Sequence, residues 1–526
     1  MFRRFSAGGR RLPVRGLPLL ALVALVGLPG QSYAAEPDQW GAAIAANAGP
    51  DSGFKAVTAV SATDAWAVGA TGLFTAGALP KTLVEHWDGT RWSTVPSPNP
   101  SIHNGQSDTN VLNSVAAISA QNVWAVGYTG INGFNGSGSL VEHWDGNSWT
   151  VVTSPNGVLP SFNFYNVLLG VSGSAANDVW AVGWNGYLLQ PSLHRPTIQH
   201  WNGTSWSLTP VPAIGDNAQN IVVQAVTART PGDAWATGFY SDGPDAPITH
   251  PFTLHWDGTH WNKVDAAEVT LGGTVNRVNL QAVKAIAAND VWTVGNILYV
   301  DDQGAGQSQA IIEHWDGTRW SVVTSPSPSA TATTLTGIAA ASATDIWAAG
   351  TTGSPESGGA RDPLLEHWDG TQWTAVSAPR PDKAYNCGYF GAVAAPGRSH
   401  AVGACIAADD ATQPHAFPLA ATTPAAVGGD TAPAAPSGLV ATAVSRNQIR
   451  LTWQDNADNE TSFRIERCQG AGCTTFTEIG TVGAGTTTLV DGGRSRNTTY
   501  TYRVRASNAA GSSPYSNTAT AKTPRN

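Results

Sequence analysis

Glu85-His86-Trp87-Asp88-Gly89-Thr90-Arg91-Trp92, EHWDGTRW, brings a histidine, two carboxylates and an arginine into eight residues. Those residue types suit an active site. The rest of the chain gives them another meaning, because the phrase returns as HWDGNSW at His143, HWNGTSW at His200, HWDGTHW at His255, HWDGTRW at His314 and HWDGTQW at His367. Each copy is preceded by a second phrase: DAWAVG at Asp64, NVWAVG at Asn122, DVWAVG at Asp178, DAWATG at Asp233, DVWTVG at Asp290 and DIWAAG at Asp345. The tryptophans of this second phrase, Trp66, Trp124, Trp180, Trp235, Trp292 and Trp347, are 58, 56, 55, 57 and 55 residues apart, a period that marks a repeat architecture.

Each period holds four short β-like runs, as in NSVAAIS, VWAVGY, SLVEHWD and SWTVVTS, rich in Val, Trp, Ile and Thr and punctuated by Gly, Asn and Asp. Four strands per unit is the count of a propeller blade, and the second run is apolar on both faces, as a sheet between two neighbours requires. After the sixth copy, Ser399-His400-Ala401-Val402-Gly403 stands where the next DxWAVG is due, but the counterpart of the final strand is missing. DQWGAAIAA near the N-terminus places Trp40 in the slot that TRWSTV fills elsewhere. The expectation is a seven-bladed ring whose last blade is completed by the N-terminal strand, which hides its edges. These repeats are similar to secreted bacterial Kelch-like or galactose-oxidase-like propellers. They lack the Kelch double glycine and the Asp-box of sialidase-type propellers, so the resemblance implies a fold and no catalytic residues.

The N-terminus carries Arg3, Arg4, Arg10, Arg11 and Arg15, an apolar run from Leu17 to Leu28, and Ser32-Tyr33-Ala34, the pattern of a secretion signal cleaved near Ala35. The paired arginines loosely match a twin-arginine signal. No later run is apolar and long enough to span a bilayer, so the mature chain is expected to be exported, extracellular or associated with the cell surface, and monomeric. Loss of the five arginines takes the net charge from −9 to −14, which argues against nucleic acid or an anionic membrane surface as partner. Four cysteines in an exported chain suggest two disulfides, Cys468 with Cys473 stapling a hairpin and Cys387 with Cys405 bracing neighbouring strands.

From about Asp430 the repeat stops. After TTPAAVGGDTAPAAPSG come LVATAVSRNQIRLTWQD, TSFRIERC, FTEIGTV, TTTLVDGG and NTTYTYRVRASNAAGSSPYSNTATAKT, which resemble a fibronectin type III domain along their whole length. Trp453 matches that family's buried tryptophan and Tyr500 its tyrosine corner. The resemblance implies a spacer or display module. The fold class expected is therefore all-β: a signal at 1–34, a seven-bladed β-propeller of four-stranded blades at 35–424, a linker at 425–434 and a fibronectin type III β-sandwich at 435–526.

Chemistry is sought outside the repeated phrase. Equivalent histidines on adjacent blades would stand on the order of 13 Å apart for strands spaced about 4.8 Å, too far to share a metal bonded at about 2 Å. A structural imidazole, hydrogen-bonded between blades, is expected instead, and no metal site is assigned. The tight connections are first-to-second and third-to-fourth, so the two long classes emerge together on one face, where a ligand is expected. Aromatic and amide residues gather there: Phe162, Phe164, Tyr165, Trp184, Asn185 and Tyr187 in the third unit, with Tyr240 and Tyr299 in later ones. Rings beside Asn suit sugar binding, and equally suit packing of the loops themselves. The same face carries Asp108, Asp216, Asp242, Asp245, Asp301, Asp302, Asp362, Asp409 and Asp410. Two of these would serve a glycosidase or polysaccharide lyase if they converged, and the adjacent pairs suit calcium, the one cofactor the sequence suggests. The leading expectation is a binding or adhesion protein for an extracellular glycan or a cell-surface protein. The alternatives are a carbohydrate-active enzyme and a structural surface protein.

Overall fold

The computed structural model describes residues 41–43, 52–73, 78–101, 108–130, 137–155, 164–187, 190–243, 248–269, 274–326, 332–353, 361–376, 378, 384–395, 398–407, 415–422, 433–457, 460, 462–483, 485–508 and 511–525. Among them every regular element is a strand, and no helix is long and apolar enough to cross a membrane. Strand β1 (Gly41–Ala43) precedes the first unit, β2 (Gly53–Ser61), β3 (Asp64–Thr71), β4 (Lys81–Trp87) and β5 (Trp92–Thr94). Unit two is β6 (Asn110–Ser119), β7 (Asn122–Thr129), β8 (Gly138–Trp144) and β9 (Trp149–Val151), and unit three is β10 (Phe164–Ala175), β11 (Asp178–Tyr187), β12 (Gln190–Trp201) and β13 (Trp206–Leu208). Unit four is β14 (Gln219–Thr230), β15 (Asp233–Ser241), β16 (Thr249–Trp256) and β17 (Trp261–Val264), and unit five is β18 (Thr274–Ala287), β19 (Asp290–Val300), β20 (Gly306–Trp315) and β21 (Trp320–Val323). Unit six is β22 (Thr333–Ser342), β23 (Asp345–Thr352), β24 (Asp362–Trp368) and β25 (Trp373–Val376), followed by β26 (Ala384–Ala395), β27 (Arg398–Ala407) and β28 (His415–Thr422).

Each unit is an antiparallel meander, and units four and five are joined into one sheet by a single parallel pair, Thr249 with Arg277. The last three strands take β1 as their fourth, with Gly41 opposite Thr422, Ala42 opposite Ala421 and Ala43 opposite Ala420. Trp40 lies outside the described residues, as does the signal at 1–34.

The core lies in layers between units. One layer joins Trp66, Val68 and Val84 of unit one to Leu112, Val115, Val123, Ala125, Leu140 and Trp149 of unit two. The second strand of each unit is buried on both faces, as Ala65 to Val68 show at no more than 2 % exposure. The first strands pack on one another in succession, and β2 packs against both β6 and β26. Side-chain oxygens stitch these strands together: Thr58 Oγ1 accepts from Ala117 N at 3.1 Å, Ser114 Oγ from Val171 N at 3.2 Å, Ser172 Oγ from Ala228 N at 2.9 Å and Thr227 Oγ1 from Ala285 N at 3.3 Å. The glycine of the WAVG phrase has a steric cause. A Cβ on Gly127 would lie 1.9 Å from the Val111 carbonyl oxygen, where the first strand bulges across the second.

The C-terminal domain is a sandwich of β29 (Ser437–Ser445), β30 (Gln448–Gln454), β31 (Ser462–Gln469), β32 (Thr477–Gly483), β33 (Thr488–Gly492), β34 (Thr499–Asn508), β35 (Gly511–Ser512) and β36 (Ala519–Lys522). One sheet has the order β29-β30-β33, and the other β32-β31-β34-β35 with β36 on β34. Trp453 is buried against Phe463, and the Tyr500 hydroxyl accepts from Ser495 N at 3.0 Å, which pins the corner into β34. The Cys468–Cys473 disulfide closes the turn after β31. Cys387 and Cys405 lie on the paired strands β26 and β27, with their side chains outside what is described.

Candidate functional site

The repeated phrase builds scaffold, with one difference from expectation. Each histidine bonds inside its own unit, to the residue that opens the second strand, rather than between units. His86 Nε2 meets Asp64 Oδ1 at 2.8 Å, and the same bond recurs for His200 with Asp178, His255 with Asp233, His314 with Asp290 and His367 with Asp345 at 2.7–3.0 Å. The register explains it: Trp66 sits opposite His86, so the ring lies over the indole at 4.3 Å and its edge reaches Asp64. Tryptophans span the units instead, with Trp66 4.9 Å from Trp144 and 5.4 Å from Trp149.

In the Asp-Gly turn, Asp88 Oδ1 accepts from Thr90 N, Thr90 Oγ1 and Arg91 N at 2.6–3.0 Å, while Gly89 adopts φ +95°. These bonds, Thr90 hydroxyl first, hold the Asp88 carboxyl at about 2. Asp316 and Asp369 are held at about 2 by the equivalent threonines.

The loop aromatics divide. Phe162 lies outside the described residues. Phe164 and Tyr165 begin β10 and are buried at 9 % and 1 % exposure, Phe164 edge-on to Tyr187 at 5.5 Å. Trp184 stacks on His194 at 4.0 Å, and Asn185 donates to Thr197 Oγ1 at 2.7 Å. Tyr240 stacks on His250 at 5.1 Å, and Tyr299 packs beside Ile297 and Val278. The rings therefore mainly brace strand ends, and the structure does not gather them into one cleft.

The loop acids are engaged locally. Asp301 accepts from Gln303 N, Ala305 N and Gln307 Nε2 at 2.8–3.0 Å, and its carboxyl is lowered, by Gln307 first. Asp242 bonds His250 at 2.8 Å, and the backbone carbonyl of buried Asp108 accepts from Lys81 Nζ at 3.0 Å. Asp216, Asp302 and Asp362 are exposed. Asp245, Asp409 and Asp410 lie outside the described residues, within which no group of three or more His, Cys, Asp or Glu residues is placed to hold a metal ion.

What does converge is a polar cavity of about 280 Å³ between units four and five. Its lining is Asn220 and Gln224 from β14, Phe239 and Ser241 from β15, Thr249 from β16, and Arg277, Asn279 and Gln281 from β18. It opens where first strands begin and second strands end, the side from which the long connections leave. Gln224 Nε2 donates to Gln281 Oε1 at 3.5 Å and Thr249 Oγ1 to Asn279 Oδ1 at 3.4 Å, so the amides are aligned across the gap. Asn220 holds φ +46°, a left-handed conformation that asparagine tolerates better than most residues. His194 of unit three fixes its side chain, with Nδ1 2.9 Å from Asn220 Oδ1 and Nε2 3.1 Å from the Tyr187 carbonyl. Burial lowers the His194 pKa from the ordinary histidine value. Aromatic content does not mark this cavity in the sequence. Its signal was the matching glutamine in VVQAV and NLQAV, at a position held by Lys55, Asn113, Leu169 and Thr336 in other units.

Residues 434–522 match the fibronectin type III domain family model, so the C-terminal sandwich is such a domain. No curated protein matches the chain. Among solved structures, the chain is similar to an Fn3-like protein from Clostridium thermocellum at 32 % identity, covering 17 % of this chain and 92 % of that one with a TM-score of 0.16. It is similar to the FN5 domain of Drosophila Lar at 20 % identity, covering 18 % and 97 %, TM-score 0.16. A structure of titin kinase and its flanking domains shares 27 % identity over 17 % of this chain, with a TM-score of 0.15, and this chain spans only 16 % of it.

Proposed function

We propose that the chain is an exported binding protein whose repeated sheets form a seven-bladed β-propeller, and that it recognises an extracellular glycan or surface partner on the long-connection face. The fibronectin type III domain then serves as spacer or tether. Support for the ring comes from β1 serving as fourth strand to β28, and from the packing of β2 on both β6 and β26. The disulfide and the fibronectin type III domain are consistent with an extracellular setting.

The cavity between units four and five carries the binding reading. Four amides and two hydroxyls offer donors and acceptors to the hydroxyls of a sugar, and Phe239 offers a ring to its apolar face. No lining residue is a carboxylic acid, whereas glycoside hydrolysis uses two, roughly 5 to 10 Å apart. This lining supports recognition over hydrolysis. The purified chain on a glycan array is expected to retain ligand without releasing reducing ends, and Asn279→Ala with Gln281→Ala to weaken calorimetric affinity by about tenfold or more. Release of reducing ends, abolished by Asp→Asn at Asp302 or Asp362, would replace this reading with an enzyme.

A further inference from the structure

Charge is distributed unevenly in the repeated region. Residues 35–433 contain 13 Lys and Arg against 31 Asp and Glu, a net charge of −18. Yet the first strands of the six units, β2, β6, β10, β14, β18 and β22, together with β26, contain no Asp or Glu at all. They contain four cations: Lys55 on β2, Arg229 on β14, and Arg277 and Lys284 on β18. Arg229 is neutralised by Asp233 at 2.6 Å. Lys55 and Lys284 meet no carboxylate among the described residues. Lys55 is exposed and Lys284 half-buried, and the surrounding protein pulls both amines below the ordinary lysine value.

Arg277 is the cation of this set that lines the cavity. It is exposed, and its backbone makes the single parallel pair that joins units four and five. A guanidinium has five N–H donors in a fork that matches a carboxylate, enough to hold one alongside an internal partner. Around it stand neutral amides, which cannot repel an anion, and Phe239.

Taking the glycan reading as its premise, we infer that the cavity selects a carboxylated sugar, a uronic-acid residue of an acidic polysaccharide. Arg277 holds the carboxylate, and Asn220, Gln224, Asn279 and Gln281 hold the hydroxyls. The acidic exterior repels bulk polyanions such as nucleic acid, so selectivity comes from Arg277.

The test is calorimetric titration of the full chain with trisaccharides of galacturonate, glucuronate, mannuronate and guluronate, each beside its neutral counterpart. At least one uronate is expected to bind about tenfold or more tightly than its neutral partner. Arg277→Gln should remove that preference while leaving residual neutral binding unchanged. Lys263→Gln, whose lysine pairs with Asp265 on the outer side of unit four, should change neither. If Arg277→Gln lowers the melting temperature, Arg277→Lys replaces it; it keeps the charge but loses the two-pronged fork and should reduce the uronate preference several-fold. Equal affinity for acidic and neutral sugars, or binding of neutral sugars alone, overturns the inference and leaves the glycan reading standing. Binding of neither class overturns both.

Discussion

His143 is the one repeated histidine that faces an amide, with Nε2 2.8 Å from Asn122 Oδ1 where the others meet a carboxylate. Burial, only partly opposed by Asp145, lowers its pKa from the ordinary histidine value of 6.5. A histidine whose folded pKa is depressed makes the folded state resist protonation, so its contribution to stability falls as pH drops below 6.5. Asn122→Asp places an anion on the same nitrogen, and the His143 midpoint in an NMR titration is expected to rise by about 1 unit or more. No change in midpoint would mean that the Nε2 contact does not set the protonation state. This single departure also shows what the repeated phrase encodes. The motif specifies a donor and an acceptor at fixed register rather than a charge, which is why eight reactive-looking residues amount to a bracket between two strands. That much was legible in the sequence because the parts are adjacent or lie in one hairpin. The partner of the histidine was not, since only the register of Trp66 against His86 shows that Asp64 lies within reach.

At the scale of the strand, the residue beside the histidine, a glutamate in four of the six units, docks the segment arriving from the preceding unit at Glu142, Glu313 and Glu366. Glu85, Glu142, Glu313 and Glu366 are fully buried on third strands, with Gln199 and Leu254 at the same position in units three and four. Ser97, in the segment leaving unit one, donates to Glu142 at 2.6 Å, and Ser325 donates to Glu366 at 2.9 Å. Gln199 donates to the Pro155 carbonyl at 3.0 Å, so a neutral side chain performs the same docking. Burial raises Glu142 to about 8 and Glu313 to about 7. A carboxyl whose folded pKa is raised stabilises the protein fully below its unfolded value near 4.5, and that contribution disappears as pH rises through about 8. Glu142→Gln is expected to flatten the stability profile between pH 5 and 9 and to make the protein more stable at pH 9 by a few kcal/mol, measured by denaturant titration. An unchanged slope would show that Glu142 is ionised in the folded state. None of this was readable beforehand, because Ser97 and Glu142 are distant in sequence and meet only when two sheets stack. The cavity escaped for the same reason: its amides are contributed by two units, and amides leave no periodic trace. The four-strand unit was readable because strand alternation and Asp-Gly turns are local.

Across the whole molecule, the units are alike at their interfaces and unlike at one seam. Trp235, at 1 % exposure, lies 5.1 Å from Trp315 and 5.5 Å from Trp320, repeating the pattern of Trp66 with Trp144 and Trp149. At the seam, His400 stands in the place of that tryptophan, and the sheet of β26, β27 and β28 depends on β1 for its edge. Removing the residues up to Ala43 exposes β28 as a free edge. A lower melting temperature and concentration-dependent association in ultracentrifugation are expected; a stable monomer with unchanged melting would deny the seam any role. The missing seventh phrase made β1 predictable, because one strand too few at one end of the repeat matched one strand too many at the other. The pairing of Gly41 with Thr422 also sets a schedule. The ribosome delivers β1 first and β28 roughly 370 residues later, an interval of about 20 to 75 s at 5–20 residues per second. Through that interval the earliest residues have no strand to join, and the repeated region acquires its last pairing only when its youngest residues meet its oldest.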